Sequence, residues 1–288
     1  MAWSSGGRRL ATVGKDLELN VWRPQTSTEA LEARLPSAIE SPRGARVLFA
    51  CDDSVLVVVG FTKSSGRQIH LYDARSPSLP LLHHQHIDNA VQPLVPHYDF
   101  DSSVLFLSGK GDRTVQMFEV CPEPPFLLQL SPFTAPLGHQ AVAFHNKSVC
   151  KVMEVEFARA WRLTEKTLEL LRFRVPRVKK DVFQSDLFPD ALVSWEPATT
   201  AERWLQGEET KPIFRSLRPD GVSALALPTA AAAAPKLARR TDHAEQNGSD
   251  AAPEQKEVMS AWSAQITVDR TLEQDRMEGV AEEEWAES

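Results

Sequence analysis

The sequence predicts an all-β fold, a partial β-propeller of about four blades, on three observations. Strand-like runs ending in an aromatic residue recur at near-constant intervals. Trp22, Tyr72 and Phe118 close the runs Leu17–Trp22, Gln68–Asp73 and Thr114–Glu119, at spacings of 50 and 46 residues. Periods of about 40 to 50 residues that end in a Trp-Asp-like dipeptide belong to propeller blades, small four-stranded sheets that bury their faces only against one another. Each run is also preceded by further alternating apolar segments separated by turn residues. Finally, 42% of the 288 residues are hydrophobic, enough for a core.

The strands are read in order. In the best-defined unit Arg46–Ala50, Ser54–Phe61 and Arg67–Asp73 form strands, with Asp52-Asp53 and Ser64-Ser65-Gly66 as the turns between them. Leu81 to His86 is read as an inter-blade loop. The next unit repeats the pattern with Leu94–Tyr98, Val104–Ser108 and Thr114–Val120, broken by Asp99 to Asp101 and by Gly109-Lys110-Gly111-Asp112. The continuous run Val104-Leu105-Phe106-Leu107 predicts a strand buried on both faces. A fourth, less regular unit is assigned Phe126–Leu130, Ala141–His145, Val152–Trp161 and Thr167–Arg174. It ends at Val175-Pro176-Arg177, where proline removes a ladder donor.

Beyond the sheets, Phe183 to Gly207 carries large apolar residues and is expected to pack as an extension over the last blade. Thr200 to Leu205 reads as one short capped helix closed by Gly207. From about residue 217 the chain turns polar, and an Ala run at 230–234 is followed by Pro235, a composition that does not bury enough surface to offset chain entropy. The domain expectation is therefore a propeller part at 1–175, an extension packed on it at 176–216, and a disordered linker with an acidic tail at 217–288. Within the last part, Val258, Met259, Trp262 and Ile266 have the spacing of a short amphipathic helix.

Charge is divided unevenly. Residues 1–207 carry equal numbers of acidic and basic side chains, whereas residues 208–288 carry nine basic against sixteen acidic, which accounts for the whole net charge of −7. A neutral body with an acidic tail argues against a nucleic-acid partner, which calls for a basic face. No apolar run approaches the roughly 20 residues of a membrane helix, and the N-terminus does not read as a secretory signal. The three cysteines, Cys51, Cys121 and Cys150, are too few and too far apart for a disulfide framework. Together these point to a cytosolic setting.

Motifs with chemical promise resolve mostly into structure. His83, His84 and His86 lack the carboxylates or cysteines that would complete a metal sphere. Gly109 to Asp112 lacks phosphate-loop spacing and reads as a turn. Arg172, Arg174, Arg177, Lys179 and Lys180 form a basic cluster that suits actin or anionic lipid, but reads first as a charged blade edge. No nucleophile elbow or triad pattern is present, so no catalytic residue and no cofactor is expected. The sharpest binding candidate is the tail, where Glu282, Glu283 and Glu284 would meet a basic groove and Trp285 would anchor in an apolar pocket.

Four ordered strings carry a family resemblance. Gly60-Phe61-Thr62-Lys63-Ser64-Ser65-Gly66-Arg67-Gln68 leads into a Leu-Tyr-Asp strand end, and Tyr98-Asp99-Phe100-Asp101 precedes Leu107-Ser108-Gly109-Lys110-Gly111-Asp112. Val175-Pro176-Arg177 then precedes Phe183-Gln184-Ser185-Asp186-Leu187-Phe188-Pro189-Asp190, and Thr200 to Gly207 reads Thr-Ala-Glu-Arg-Trp-Leu-Gln-Gly. Together they resemble the coronins, actin-associated WD-repeat propeller proteins, with Phe188 where that family usually has tyrosine. The acidic tryptophan-containing ending is similar to the tandem, coronin-seven or pod class.

The resemblance implies the later blades of a second propeller plus the tail. It also implies a non-enzymatic scaffold bound to actin filaments and, through Glu282 to Trp285, to the actin-branching nucleator. Placement in the cytoplasm, on the Golgi and trans-Golgi network, on vesicles and on the cytoskeleton follows, with Golgi-to-endosome traffic as the process and peripheral membrane association rather than a span. The alternative, from a different class, is a propeller adaptor or substrate in ubiquitin-ligase assemblies. An incomplete ring would expose an unpaired sheet face for a partner to cover.

Overall fold

The computed structural model describes residues 1–24, 31–208 and 211–225. Four antiparallel sheets follow one another along the chain. The first holds β1 (Ala2–Trp3), β2 (Leu10–Val13), β3 (Leu19–Trp22) and β4 (Leu31–Leu35), and the second holds β5 (Ser41–Ala50), β6 (Val55–Phe61), β7 (Arg67–Asp73) and β8 (Leu81–Asp88). The third holds β9 (Leu94–Asp99), β10 (Val104–Gly109), β11 (Thr114–Val120) and β12 (Leu127–Thr134). The fourth has three strands, β13 (Ala141–Phe144), β14 (Glu156–Leu163) and β15 (Leu168–Arg174). In each, strands pair in sequence order, as in propeller blades.

Apolar alternation sets which sheets touch. Along β6, Leu56 and Val58 join Leu19, Val21 and Phe49 in the cluster between the first and second sheets. The intervening Val55, Val57 and Val59 join Leu105, Leu107 and Phe118 between the second and third. β10 splits the same way, with Val104 and Phe106 turned toward Ala158, Ala160 and Phe173 of the fourth sheet. Both apolar runs are thus buried on both faces, as the sequence predicted for Val104–Leu107, and each fully buried Phe or Leu is worth about 1.5–3 kcal/mol over its exposed state.

Four features differ from the sequence reading. Leu81–Asp88 is not a loop but β8, paired along β7 from Tyr72↔Leu81 to Arg67↔Asp88. An outermost strand is solvated on one side, so its three histidines hide the apolar alternation. Phe126–Leu130 belongs to the third sheet, where β12 pairs with β11, because periodicity identifies a strand but not its partner. Within the expected strand Val152–Trp161, residues Val152–Glu154 form a 3-10 turn, and Val155, at φ 58°, breaks the alternation before β14 begins. Residues 217–225, expected to open the disordered linker, return to the body instead. Leu217 and Val222 pack with Phe183 and Phe188, and Ala224 bridges Phe183.

The extension reaches beyond the last sheet. Phe183 and Phe188 pack with Val152 and Val155 beside the fourth sheet, while β16 (Ala191–Leu192) pairs with β17 (Phe214–Arg215). The backbone N–H of Leu192 donates to Asp101 at 3.0 Å, beside the third sheet. α1 (Ala201–Leu205) lies against the first sheet, its N-cap Thr200 accepting from the Arg203 N–H at 3.4 Å and Gly207 closing it at φ 82°. Among the described residues no helix is long and apolar enough to cross a membrane.

Candidate functional site

The predicted tail residues Glu282, Glu283, Glu284 and Trp285 lie outside the described residues, as does the segment around Trp262. The charged residues of the sequence motifs do lie within them, and they join one sheet to the next. Arg67, buried at the start of β7, donates to both oxygens of Asp88 at 2.5 Å, to Asp112 at 2.7 Å and to the Gln92 carbonyl at 3.2 Å. It therefore ties the second sheet to the Gly109–Asp112 turn of the third. Burial alone would raise the Asp88 carboxyl, but hydrogen bonds from Arg67 and from the Ala90 N–H, with the guanidinium charge, carry it below the ordinary aspartate value.

The same turn holds the fourth sheet. Gly111 N–H donates to the His139 carbonyl at 2.7 Å, and His139 N–H returns a bond to the Asp112 carbonyl at 2.9 Å. Gly138 approaches so closely that a Cβ there would lie 2.6 Å from the Gly111 oxygen. Gly109 to Asp112 is thus a turn, as its sequence suggested, and one that joins blades.

A second charged group lies under the extension. Lys147 is buried, with its Nζ 2.5 Å from Asp99, 2.7 Å from the Phe157 carbonyl and 3.8 Å from Asp101. Burial pushes Asp101 up, against the Leu192 N–H and the Lys147 charge. His97 stacks on Phe144 at 4.1 Å, and burial lowers it to about 4. These groups line a pocket of about 300 Å³ with His145 and Ser194. The charges of Lys147, Asp99 and Asp101 are engaged with one another and with backbone partners, an arrangement suited to holding elements together.

The remaining sequence candidates are similarly engaged. His84 accepts from or donates to Gln68 at 2.9 Å and stacks on His70 at 4.7 Å, and burial depresses His70 to about 4. Among the described residues no three His, Cys, Asp or Glu side chains stand where they could hold a metal ion. Arg174 and Arg172 face Glu154, and Arg177 pairs with Asp186 at 2.6 Å, so three members of the basic cluster are met by carboxylates. Burial raises the Cys51 and Cys150 thiols to about 11, the direction of unreactive cysteines.

The feature that sequence reasoning missed is an aromatic clasp. The Trp204 indole donates to the Gly7 carbonyl at 3.2 Å and meets Trp3 edge-on at 5.9 Å, which joins the extension to the first sheet. Beside it runs an apolar groove of about 500 Å³ lined by Trp3, Gly6, Pro197, Thr200, Trp204 and Pro212. Its aromatic and proline walls present mainly apolar contact area. The signal was in the sequence, since Trp204 lies in the Thr-Ala-Glu-Arg-Trp-Leu-Gln-Gly string, but nothing there named Trp3 as its partner.

Comparison with known proteins agrees with this architecture. A sequence family described as a type of WD40 repeat matches residues 168–212, from β15 into the extension. Coronin-7 of Homo sapiens is 39% identical over 288 residues, covering 99% of this chain and 30% of the relative. The chain belongs to the coronin family. Its Coronin-7 matches agree with the tandem class that the motifs resemble. Coronin-A of Dictyostelium discoideum is 36% identical over 215 residues, covering 75% of this coronin chain and 46% of that one. Among solved structures, the WD40 domain of Toxoplasma gondii coronin superposes with a TM-score of 0.67 at 27% identity, covering 76% of this chain and 55% of that one. This coronin chain therefore spans about a third of its Coronin-7 relatives and about half of a solved coronin WD40 domain.

Proposed function

We propose that this coronin chain is a non-enzymatic scaffold of the actin cytoskeleton that contacts actin filaments through its sheets and the actin-branching nucleator through its acidic tail. The supporting observation is 39% identity to Coronin-7 along almost the entire chain. The motif residues Arg67, Asp99, Asp101 and Asp112 are occupied in joining sheets, which leaves surfaces and the tail as the places for partners. In the tail, Glu282 to Glu284 supply Coulombic attraction to a basic groove and Trp285 supplies an apolar anchor.

Residence in the cytoplasm and on Golgi and trans-Golgi membranes, with a part in Golgi-to-endosome traffic, belongs to the same proposal. Imaging of the tagged chain against a Golgi marker tests it, and an unstructured cytosolic signal overturns the membrane placement. For the tail, pull-down with purified nucleator compares wild type with Trp285→Ala. Loss of retention in the variant is expected, and equal retention of both overturns the tail contact. Co-sedimentation with actin filaments tests the body separately.

A further inference from the structure

We propose that Ser78 is a phosphorylation site whose phosphoserine docks on a partner with an arginine-lined groove. The stretch Arg75-Ser76-Pro77-Ser78-Leu79-Pro80 carries the turn from β7 to β8. Its second sheet is packed on both faces within the chain, against the first and the third, so the setting of this turn rests on sheets that the chain itself supplies. Arg75, Pro77, Ser78 and Pro80 are exposed. The Leu79 N–H donates to the Ser76 carbonyl at 3.0 Å, which closes a four-residue turn with Pro77 and Ser78 at its tip. The hydroxyls of Ser76 and Ser78 meet at 2.9 Å.

Arg75 stands three residues before the acceptor, where the carboxylates of a basophilic serine kinase grip a guanidinium in a two-pronged bond. Its side chain is 61% exposed and is held by Asp73 at 2.8 Å, and an exposed pair of this kind exchanges one carboxylate for another at little cost. In the transfer the Ser78 hydroxyl oxygen bonds to the γ-phosphorus of ATP as the bond from that phosphorus to the β-phosphate oxygen breaks. ADP leaves, and the hydroxyl proton passes to the kinase's catalytic aspartate. Arg34 and Ser37 repeat the spacing but not the setting. There the arginine is bound to Glu18 at 2.5 Å, and the residues after the serine, Ala38 and Ile39, are 3% and 2% exposed, which holds the backbone down.

The product adds a charge of about −1.5 to −2 and three acceptor oxygens, which arginine clusters of phosphoserine-binding proteins grip. The flanks of Ser78 suit such a groove, with donors from Arg75 and Ser76 before the phosphate and Pro80 fixing φ two residues after it, where the chain turns out again. A groove takes its segment extended, and this draws Leu79 out of the cluster between the first and second sheets. Two features ease that step. Leu79 stands at φ 47°, a left-handed conformation that a bulky side chain disfavours, and a bulge between Leu71 and Tyr72 interrupts the β7–β8 pairing where the turn begins. The docking is separate from the actin and nucleator contacts, since it uses neither the tail nor the motif residues.

Incubation of the 288-residue chain with ATP and the cyclic-AMP-dependent serine kinase, followed by fragmentation mass spectrometry of the tryptic peptide Ser76–Lys110, tests the acceptor. Phosphate is expected on Ser78, lost in Ser78→Ala and in Arg75→Ala and retained in Ser76→Ala and Ser37→Ala, each variant keeping the wild-type circular dichroism. A peptide without phosphate, or one modified equally in Ser78→Ala, overturns the acceptor. The phosphorylated chain is then passed over an immobilised 14-3-3 protein, a phosphoserine-binding protein with an arginine cluster. Retention is expected before phosphatase treatment and not after it, and Pro80→Ala, phosphorylated to the same extent, is expected to lose it. Passage of the phosphorylated chain without retention overturns the docking. Equal retention of Pro80→Ala, or of phosphorylated Ser78→Ala, assigns the binding to another site and overturns it as well.

Discussion

Lys147→Met tests the charged group beneath the extension. The ammonium is 6% exposed and faces Asp99 and Asp101, whose side chains are 13% and 7% exposed, so removal leaves two poorly hydrated carboxylates without a cation. Deleting one partner of a buried ion pair destabilises by about 3–5 kcal/mol, and methionine restores most of the lost volume, so the loss is electrostatic rather than a cavity. At about 2–4 °C per kcal/mol for a body of this size, the midpoint should fall by roughly 10 °C at neutral pH. The deficit has a defined pH sense. Asp101 is already raised in the folded protein by burial, and loss of the Lys147 charge that opposes this raises it further. A carboxyl raised on folding is protonated more readily in the native state, so the variant's deficit is full above the folded values and shrinks as pH falls toward the ordinary aspartate range. Thermal unfolding followed by circular dichroism at fixed protein concentration, from neutral to mildly acidic pH, measures this. Lys147→Met/Asp99→Asn should recover a substantial part of the loss by removing one stranded charge. A deficit under about 1 kcal/mol, typical of exposed pairs, or one constant across pH, refutes the reasoning.

Further outcomes follow from other contacts. Gly138→Ala should destabilise by about 1–3 kcal/mol in denaturant titration, because its Cβ would lie 2.6 Å from the Gly111 carbonyl and the inter-sheet bonds of that turn must give way. Trp204→Ala should leave the sheets folded but speed proteolysis at Lys211 and Arg215, because it removes the bond to Gly7 and the edge contact with Trp3. His70 and His97 are lowered to about 4 by burial, with the nearby His84 charge adding to the effect at His70. Their unfolded forms therefore take up protons first, and stability should decline as pH falls from about 6.5 toward 4. His97→Gln should flatten that decline in an acid-unfolding series.

The residues explain why the sheets were easier to read than their contacts. β6 and β10 are apolar at every other position on both sides, because each packs against two neighbouring sheets, and so they stand out as runs. β8 pairs on one edge only and carries polar residues toward solvent, so its strand character depends on β7 rather than on its own pattern. The Arg67 motif and the Gly109–Asp112 motif are 45 positions apart, and nothing local says that one grips the other. The Trp204 to Gly7 bond spans 197 positions, farther still beyond the reach of periodicity.

The distribution of charge then bears on function. Arg67, Lys147, Asp88, Asp99 and Asp112 are among the residues that chemistry-first reading would single out, and each is spent on holding sheets or the extension in place. Beside these engaged charges, the groove next to Trp204 offers apolar contact area lined by Trp3, Pro197 and Pro212. In the function proposed above, the body would contribute apolar contact and the tail would contribute charge. The two can be separated experimentally, since salt weakens attraction to Glu282–Glu284 and a salting-out anion such as sulfate strengthens apolar contact. A nucleator contact that grows tighter with added sulfate would place the tail's role in Trp285 alone.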